Sequence, residues 1–178
     1  GYVRNSEDVY SFIFQYSTDK EATVSFSHTF QNERINAKIK LVKEDSETGK
    51  TAQGDATLEG AVYGLYARED IVRPDGQTGV LYPAGTQIAT LTTDADGNAE
   101  VSDLYLGKYY IKELTPPVGY LADPEEHDLE CNDEGDLVQT VERTVTSLED
   151  VIKQPFQVIK AANNGKTDAD LLKGVGFS

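Results

Sequence analysis

The chain has 178 residues, 38% apolar and 9% aromatic, which is enough for one or two small domains with a core and argues against disorder throughout. A formal charge of −15, from 31 acidic and 16 basic residues, repels phosphate backbones, and no Lys/Arg cluster interleaved with aromatics offsets it, so nucleic acid is excluded as a partner. No apolar run approaches the roughly 20 residues that span a bilayer, and the N-terminus lacks the basic-then-apolar order of a signal peptide, so an exported protein would carry this chain as a processed or excised piece.

In chain order, short alternating or β-rich runs predict strands at 9–16, 23–30, 37–43, 61–67, 86–91, 99–106, 108–114, 136–148 and 156–161. Between them stand the turn-formers DSETGK, RPDGQTG, TDADGN and NDEGD, whose Gly and Asx residues supply positive φ or local side-chain hydrogen bonds. No segment carries sustained helical periodicity, and LEGAV and DADLLKG could form single turns at most. The pattern is all-β, of sandwich or barrel type.

A repeat emerges when the ends are laid on the middle. Gly1-Tyr2 returns as Gly119-Tyr120, the run ending at Lys43 resembles the run ending at Lys160, Gly49-Lys50-Thr51 returns as Gly165-Lys166-Thr167, and Leu58-Glu59-Gly60 as Leu172-Lys173-Gly174. Collinear matches at nearly one period predict a tandem array. Residues 1–36 are then the C-terminal strands of a preceding repeat, 37–154 a complete domain, and 155–178 the first strands of a following repeat.

Three predicted strands of the middle unit carry an ionisable group where alternation expects an inward side chain. Ile39, Leu41 and Lys43 share a face, as do Tyr109, Ile111 and Glu113, while Leu148 selects Asp150 and Ile152 and sends Glu149 the other way. A lone buried charge costs several kcal/mol, so one amine and two carboxyls in a core should meet. A neutral amine is a nucleophile, and a protonated carboxyl polarises a carbonyl and shuttles protons. Attack of the Lys43 amine on the Asp150 carbonyl, assisted by Glu113, would release water and leave an amide. Two plainer readings stand beside this one: a buried salt bridge, and charged residues solvated at the sandwich rim.

At this point the segments IKLVKEDSETGK, LEGAVYGLY and TLTTDADGNAEVSDLYLGKYYIKELTPPVGY resemble the B-type repeat of the collagen adhesin Cna, also called the SpaA-like or prealbumin-like domain of Gram-positive surface adhesins and pilins. The resemblance covers residues 37–121 and, less clearly, the closing strands to 154. It implies an all-β, prealbumin-like/Ig-like Greek-key β-sandwich in a tandem array. It also implies a secreted, cell-surface or cell-wall attached stalk that needs no cofactor and has neighbouring repeats of the same polypeptide as partners. In that family a first-strand lysine joins an Asn or Asp on the last strand with a Glu as catalyst, roles that match Lys43 and Glu113. The protein would act on itself once and is expected not to be a turnover enzyme. Asn32 resembles the usual acceptor of the preceding repeat and lies eleven residues before Lys43; the same interval before Lys160 falls on Glu149, so the acceptor is left between Asp150 and Glu149. Asn32 and Lys160 themselves fall in different repeats.

Other constellations are weaker. The loop 68–85 is longer than a simple hairpin needs, and supports an alternative reading as an adhesin module that recognises a host extracellular-matrix protein or glycan. DADGN at 94–98 has the acidity of a calcium loop, but Tyr105 stands where a bidentate Glu is required, so a hairpin turn and no metal site are expected. Cys131 and His127 share a face of EEHDLEC, and acidic neighbours oppose thiolate formation there, so an incidental role is expected.

Overall fold

A computed structural model describes residues 1–4, 7, 9–13, 25–75 and 79–155. Nine strands form among the described residues: β1 (Asn36–Asp45), β2 (Val62–Ala67), β3 (Ile71–Val72), β4 (Val80–Tyr82), β5 (Gln87–Thr92), β6 (Asn98–Leu104), β7 (Gly107–Thr115), β8 (Glu126–Cys131) and β9 (Thr140–Glu149). They build a three-stranded sheet in the order β6-β1-β9, a four-stranded sheet β5-β2-β7-β8, and a hairpin β3-β4. The fold is all-β, and no described helix is long and apolar enough to cross a membrane.

Period-two burial explains why the two large sheets face each other. Ala37, Ile39 and Leu41 of β1, Tyr63, Leu65 and Ala67 of β2, Tyr109 and Ile111 of β7, Leu129 and Cys131 of β8, and Val141 and Val145 of β9 all point into one apolar cluster. Lys38, Lys40, Glu142 and Thr144 take the opposite parity, on the outer face of the smaller sheet.

Most neighbours run antiparallel, but β1 and β9 are parallel over their whole length, from Asn36 beside Thr140 to Asp45 beside Glu149. The first and last strands of the sandwich therefore lie side by side. The chain enters at one end of this pair and leaves at the other. Beyond β9, Leu121 N donates to Asp150 O (3.0 Å) and Ile152 N to Gly119 O (2.7 Å), tying the exit to the segment that follows β7.

The turn between β5 and β6 is built on Asp94, whose Oδ1 accepts from the backbone N–H groups of Asp96 and Asn98. Gly97 sits there at φ +77°, and a Cβ at this position would meet the Lys43 carbonyl oxygen at 2.5 Å. Lys43 N in turn donates to Gly97 O at 2.8 Å. Only glycine lets this turn press on β1 beside the lysine. The acidic loop is thus a tight turn, but it differs from the expected hairpin: β5 pairs with β2 and β6 with β1, so the turn carries the chain from one sheet to the other.

Two expected strands differ. The described parts of 9–16 and 23–30, residues 9–13 and 25–30, form no strand. Phe12, Phe26 and Phe30 are exposed, and a ring ladder of Tyr10 on His28 (4.2 Å) and Phe12 on Phe26 (5.1 Å) joins the two segments without a backbone ladder. The long 68–85 loop contains the β3-β4 hairpin, with Val72 and Val80 exposed on it. The strand expected at 156–161 lies outside the described residues.

Ile111 is fully buried at the centre of β7. Ile111→Ala should lower the unfolding free energy by about 2–5 kcal/mol, read from the shift of the urea midpoint at unchanged slope.

Candidate functional site

At one end of the sandwich the apolar stripes run on into polar residues without leaving the interior. On β1 the inward parity passes from Ile39 and Leu41 to Lys43 and Asp45, both at most 1% exposed; on β9 it passes from Val141 and Val145 to Ser147 and Glu149. The opposite sheet supplies Tyr63 and Glu113, which are Cα partners across β2 and β7. The parallel register puts Lys43 beside Ser147 and Asp45 beside Glu149, so the lysine reaches Glu149 along a diagonal.

Lys43 Nζ is in direct contact with Glu149 Oε2. The Tyr63 hydroxyl donates to Glu149 Oε1 at 2.6 Å, and Ser147 Oγ lies 3.2 Å from the same oxygen and 3.1 Å from the Tyr63 hydroxyl. Ser147 Oγ also lies 3.2 Å from Asp123 Oδ2, which His127 Nε2 approaches to 2.6 Å from the outer side. Asp123 N donates to Glu113 Oε2 at 2.7 Å, while Glu113 Oε1 is buried with no hydrogen-bond partner among the described residues.

Burial pushes the Glu113 carboxyl up to about 7, with the Glu149 carboxyl adding to the rise, against the Asp123 N–H and the Lys43 charge, which oppose it. Near neutral pH it is therefore divided between acid and base forms, the condition in which one group can both take and give a proton. Burial and the Glu149 carboxylate push the Tyr63 hydroxyl far above its ordinary value. It stays a donor.

Tyr120 closes the lysine's other side, its ring centroid 4.6 Å from Nζ. Its hydroxyl donates to Asp45 Oδ2 at 2.9 Å, and burial followed by that carboxylate raises it to about 12. Asp45 is the anchor of this side. Burial opposes its charge, but the N–H groups of Glu47 and Thr48, the Gln53 amide and the Tyr120 hydroxyl together hold its carboxyl well below the usual range.

The sequence-predicted residues are placed as follows. Lys43 and Glu113 are inside and close to one another's charge. Asp150 is not with them: it is exposed, and its Oδ1 accepts from Ser46 Oγ at 2.5 Å. The inward assignment of Leu148, Asp150 and Ile152 is corrected, since Leu148 is 60% and Ile152 51% exposed while Glu149 is 3% exposed. The physical reason is that β9 takes its facing from Val141 and Val145, and Glu149 shares their parity. Asn32 is exposed, and Lys160 lies outside the described residues. Cys131 is a buried core thiol whose titration burial pushes up. Tyr63, Ser147, Asp123, Tyr120 and Asp45 were missed. Parity alone would have found Asp45, two steps beyond Lys43, and Tyr63 within Ala61, Leu65 and Ala67.

This sandwich, with its first and last strands parallel and in register, matches the prealbumin-like fold domain SpaA over residues 37–145. The chain belongs to the SpaA prealbumin-like family. No curated protein matches it. Among solved structures, this SpaA domain is similar to the Bacillus anthracis TIE protein, with 23% identity and a TM-score of 0.48 over 69% of this chain and 19% of that one. It is also similar to the group B streptococcus pilus 2b backbone protein, with 23% identity and a TM-score of 0.44 over 67% of this chain and 43% of that one. For the Corynebacterium diphtheriae major pilin SpaA the values are 17% and 0.45, over 65% of this chain and 30% of that one. The chain thus spans less than half the length of each of these proteins.

The depressed Asp45 carboxyl has a consequence for acid stability. A folded-state value below the unfolded one contributes stability that is present above the usual value of 3.8 and is lost as pH falls below it. Asp45→Asn should melt lower than the parent at neutral pH, and the gap should narrow as pH falls through that value, measured by thermal melts from pH 7 to pH 2.

Proposed function

We propose that this chain is a stalk module of a Gram-positive surface protein or pilus, locked by a self-made amide between Lys43 and Glu149. The observation that carries the reading is the buried contact of that amine with that carboxyl, with Glu113 beside them at a value near neutrality.

The chemistry is a condensation. The reactive form is the neutral pair, an amine and a carboxylic acid, one proton transfer away from the ion pair. The Nζ lone pair bonds to Glu149 Cδ, and an Nζ proton passes to Glu113. Glu113 returns a proton to the departing oxygen, the C–O bond breaks, and one water leaves. Atoms balance without any cofactor. The unpartnered Glu113 Oε1 then has a donor in the new amide N–H, which removes the cost of a buried unsatisfied carboxyl oxygen. Because Glu113 ends as it began but its substrate is consumed, the protein acts once per molecule.

The topology explains why such a bond would serve a stalk. β1 enters and β9 leaves at opposite ends of a parallel pair, so tension along the polypeptide shears that pair. A covalent tie from Lys43 to Glu149 routes the load from β1 directly into the exit strand. Residues 44–148 then lie in a closed loop that tension cannot extend. Neighbouring repeats of the same polypeptide are the natural partners, with the outer cell surface as the location.

Intact mass of the purified chain should fall short of the sequence mass by one water, and Lys43→Ala or Glu113→Ala should restore it. Peptide mapping should find Lys43 joined to Glu149. A folded protein with the full sequence mass would overturn the reading, and a branch at Asp150 would overturn the assigned acceptor.

A further inference from the structure

The condensation needs more than a nucleophile and a proton shuttle. When the amine adds to Cδ, one carboxyl oxygen must carry negative charge through the tetrahedral intermediate, and in a dry interior that charge requires donors aimed at it beforehand. The two oxygens of Glu149 have different surroundings. Oε2 faces Lys43 and makes no conventional hydrogen bond among the described residues. Oε1 faces the Tyr63 hydroxyl at 2.6 Å and the Ser147 hydroxyl at 3.2 Å.

Resting on the amide reading above, we infer that Tyr63, seconded by Ser147, forms the oxyanion site of this self-cross-linking reaction and decides which oxygen is lost. Oε1 stays as the amide carbonyl, held by hydroxyl donors before, during and after the step. Oε2 collects the proton returned by Glu113 and departs as water. Addition places the electron pair of the C–O double bond on Oε1, and collapse of the intermediate returns it as the bond to Oε2 breaks. No proton leaves Tyr63, so the hydroxyl acts only as a donor.

The placement is specific. Tyr63 is fully buried on β2 and its Cα partner across β7 is Glu113, so the oxyanion donor and the proton shuttle are neighbours on the sheet opposite the reacting strands. Ser147 sits on β9, one inward position before Glu149, and its Cα partner on β1 is Lys43. Its hydroxyl divides its reach between Glu149 Oε1 and Asp123 Oδ2, which makes it the weaker donor. The His127–Asp123 pair orients it from outside.

The test follows bond formation in time. The full chain and its Tyr63→Phe and Ser147→Ala variants are made by cell-free synthesis, synthesis is arrested, and loss of one water is followed by intact mass at neutral pH, with near-UV circular dichroism reporting the fold. Tyr63→Phe keeps the ring and its packing. It should fold, slow the loss of water on the order of a hundredfold, and still reach the parent's end point; Ser147→Ala should slow it less. A merely structural role would instead lower the end point or disturb the fold. If Tyr63→Phe condenses at the parent rate, the inference is overturned while the amide reading stands. If Tyr63→Phe does not fold, Ser147→Ala decides, and a parental rate there overturns the oxyanion site. A parent chain that folds and never loses water overturns both.

Discussion

Much of this structure follows from the need to bury the amine of Lys43. An ammonium taken out of water costs several kcal/mol unless countercharge and hydrogen bonds surround it, and the whole end of the sandwich supplies them. Glu149 gives the countercharge, Tyr120 an aromatic face, and Glu113 a second carboxyl. These groups come from β1, β7, β9 and the segment after β7, so the lysine can be satisfied only when both sheets are assembled and β9 has docked in its parallel register. The polar end therefore specifies the pairing more sharply than the interchangeable apolar side chains of the other end can.

A second layer holds this arrangement in place. Asp45 takes two backbone N–H groups of its own turn, the Gln53 amide and the Tyr120 hydroxyl, and so locks the ring that covers the lysine. On the far side, His127, Asp123 and Ser147 form a line of hydrogen bonds from the half-exposed surface to the Glu149 carboxyl, and the backbone of Asp123 fixes Glu113. Gly97, pressed on the lysine's carbonyl, ties β6 to the same spot. Each inner carboxylate thus has unlike oxygens: Glu113 accepts a hydrogen bond on Oε2 and none on Oε1 among the described residues, while Glu149 meets hydroxyls through Oε1 and the lysine through Oε2. That asymmetry is what the proposed condensation uses and what a fully satisfied salt bridge would lack.

The strands that carry clear alternation were legible. In AKIKLVK and KYYIKEL every second residue is apolar until the charge, so Lys43 and Glu113 read correctly as inward. β9 was misread because its inward face is mostly polar at the functional end. In TVTSLE the apolar residue nearest the site is Leu148, and it points to solvent; Val145 holds the true parity, four residues ahead of Glu149. The interval of eleven residues between Asn32 and Lys43, transferred to Lys160, falls on Glu149, the residue that the structure turns inward. Ser147 and Asp123 were out of reach for a different reason, and parity, which turns Tyr63 inward, does not name the partner of its hydroxyl. Nothing local marks a hydroxyl or a loop carboxylate as a partner of a lysine that lies on another strand.

The choice of Glu149 as the proposed acceptor rests on the same register. Lys43 lies beside Ser147, not beside Glu149, so amine and carboxyl meet across a diagonal of the parallel pair. A glutamate carries its carbonyl one methylene farther from the backbone than an aspartate does, and that reach is directed at two places: towards Nζ through Oε2 and towards the Tyr63 hydroxyl on the opposite sheet through Oε1. An aspartate at 149 would draw the carbonyl back towards its own strand and leave Tyr63 with the Ser147 hydroxyl, at 3.1 Å, in place of the carboxylate. Asp150 points to the other face, where its exposed carboxylate accepts from the Ser46 hydroxyl. A glutamate in this position is therefore a fit to the distance between the sheets, and the tyrosine that meets it from the other side is part of the same fit.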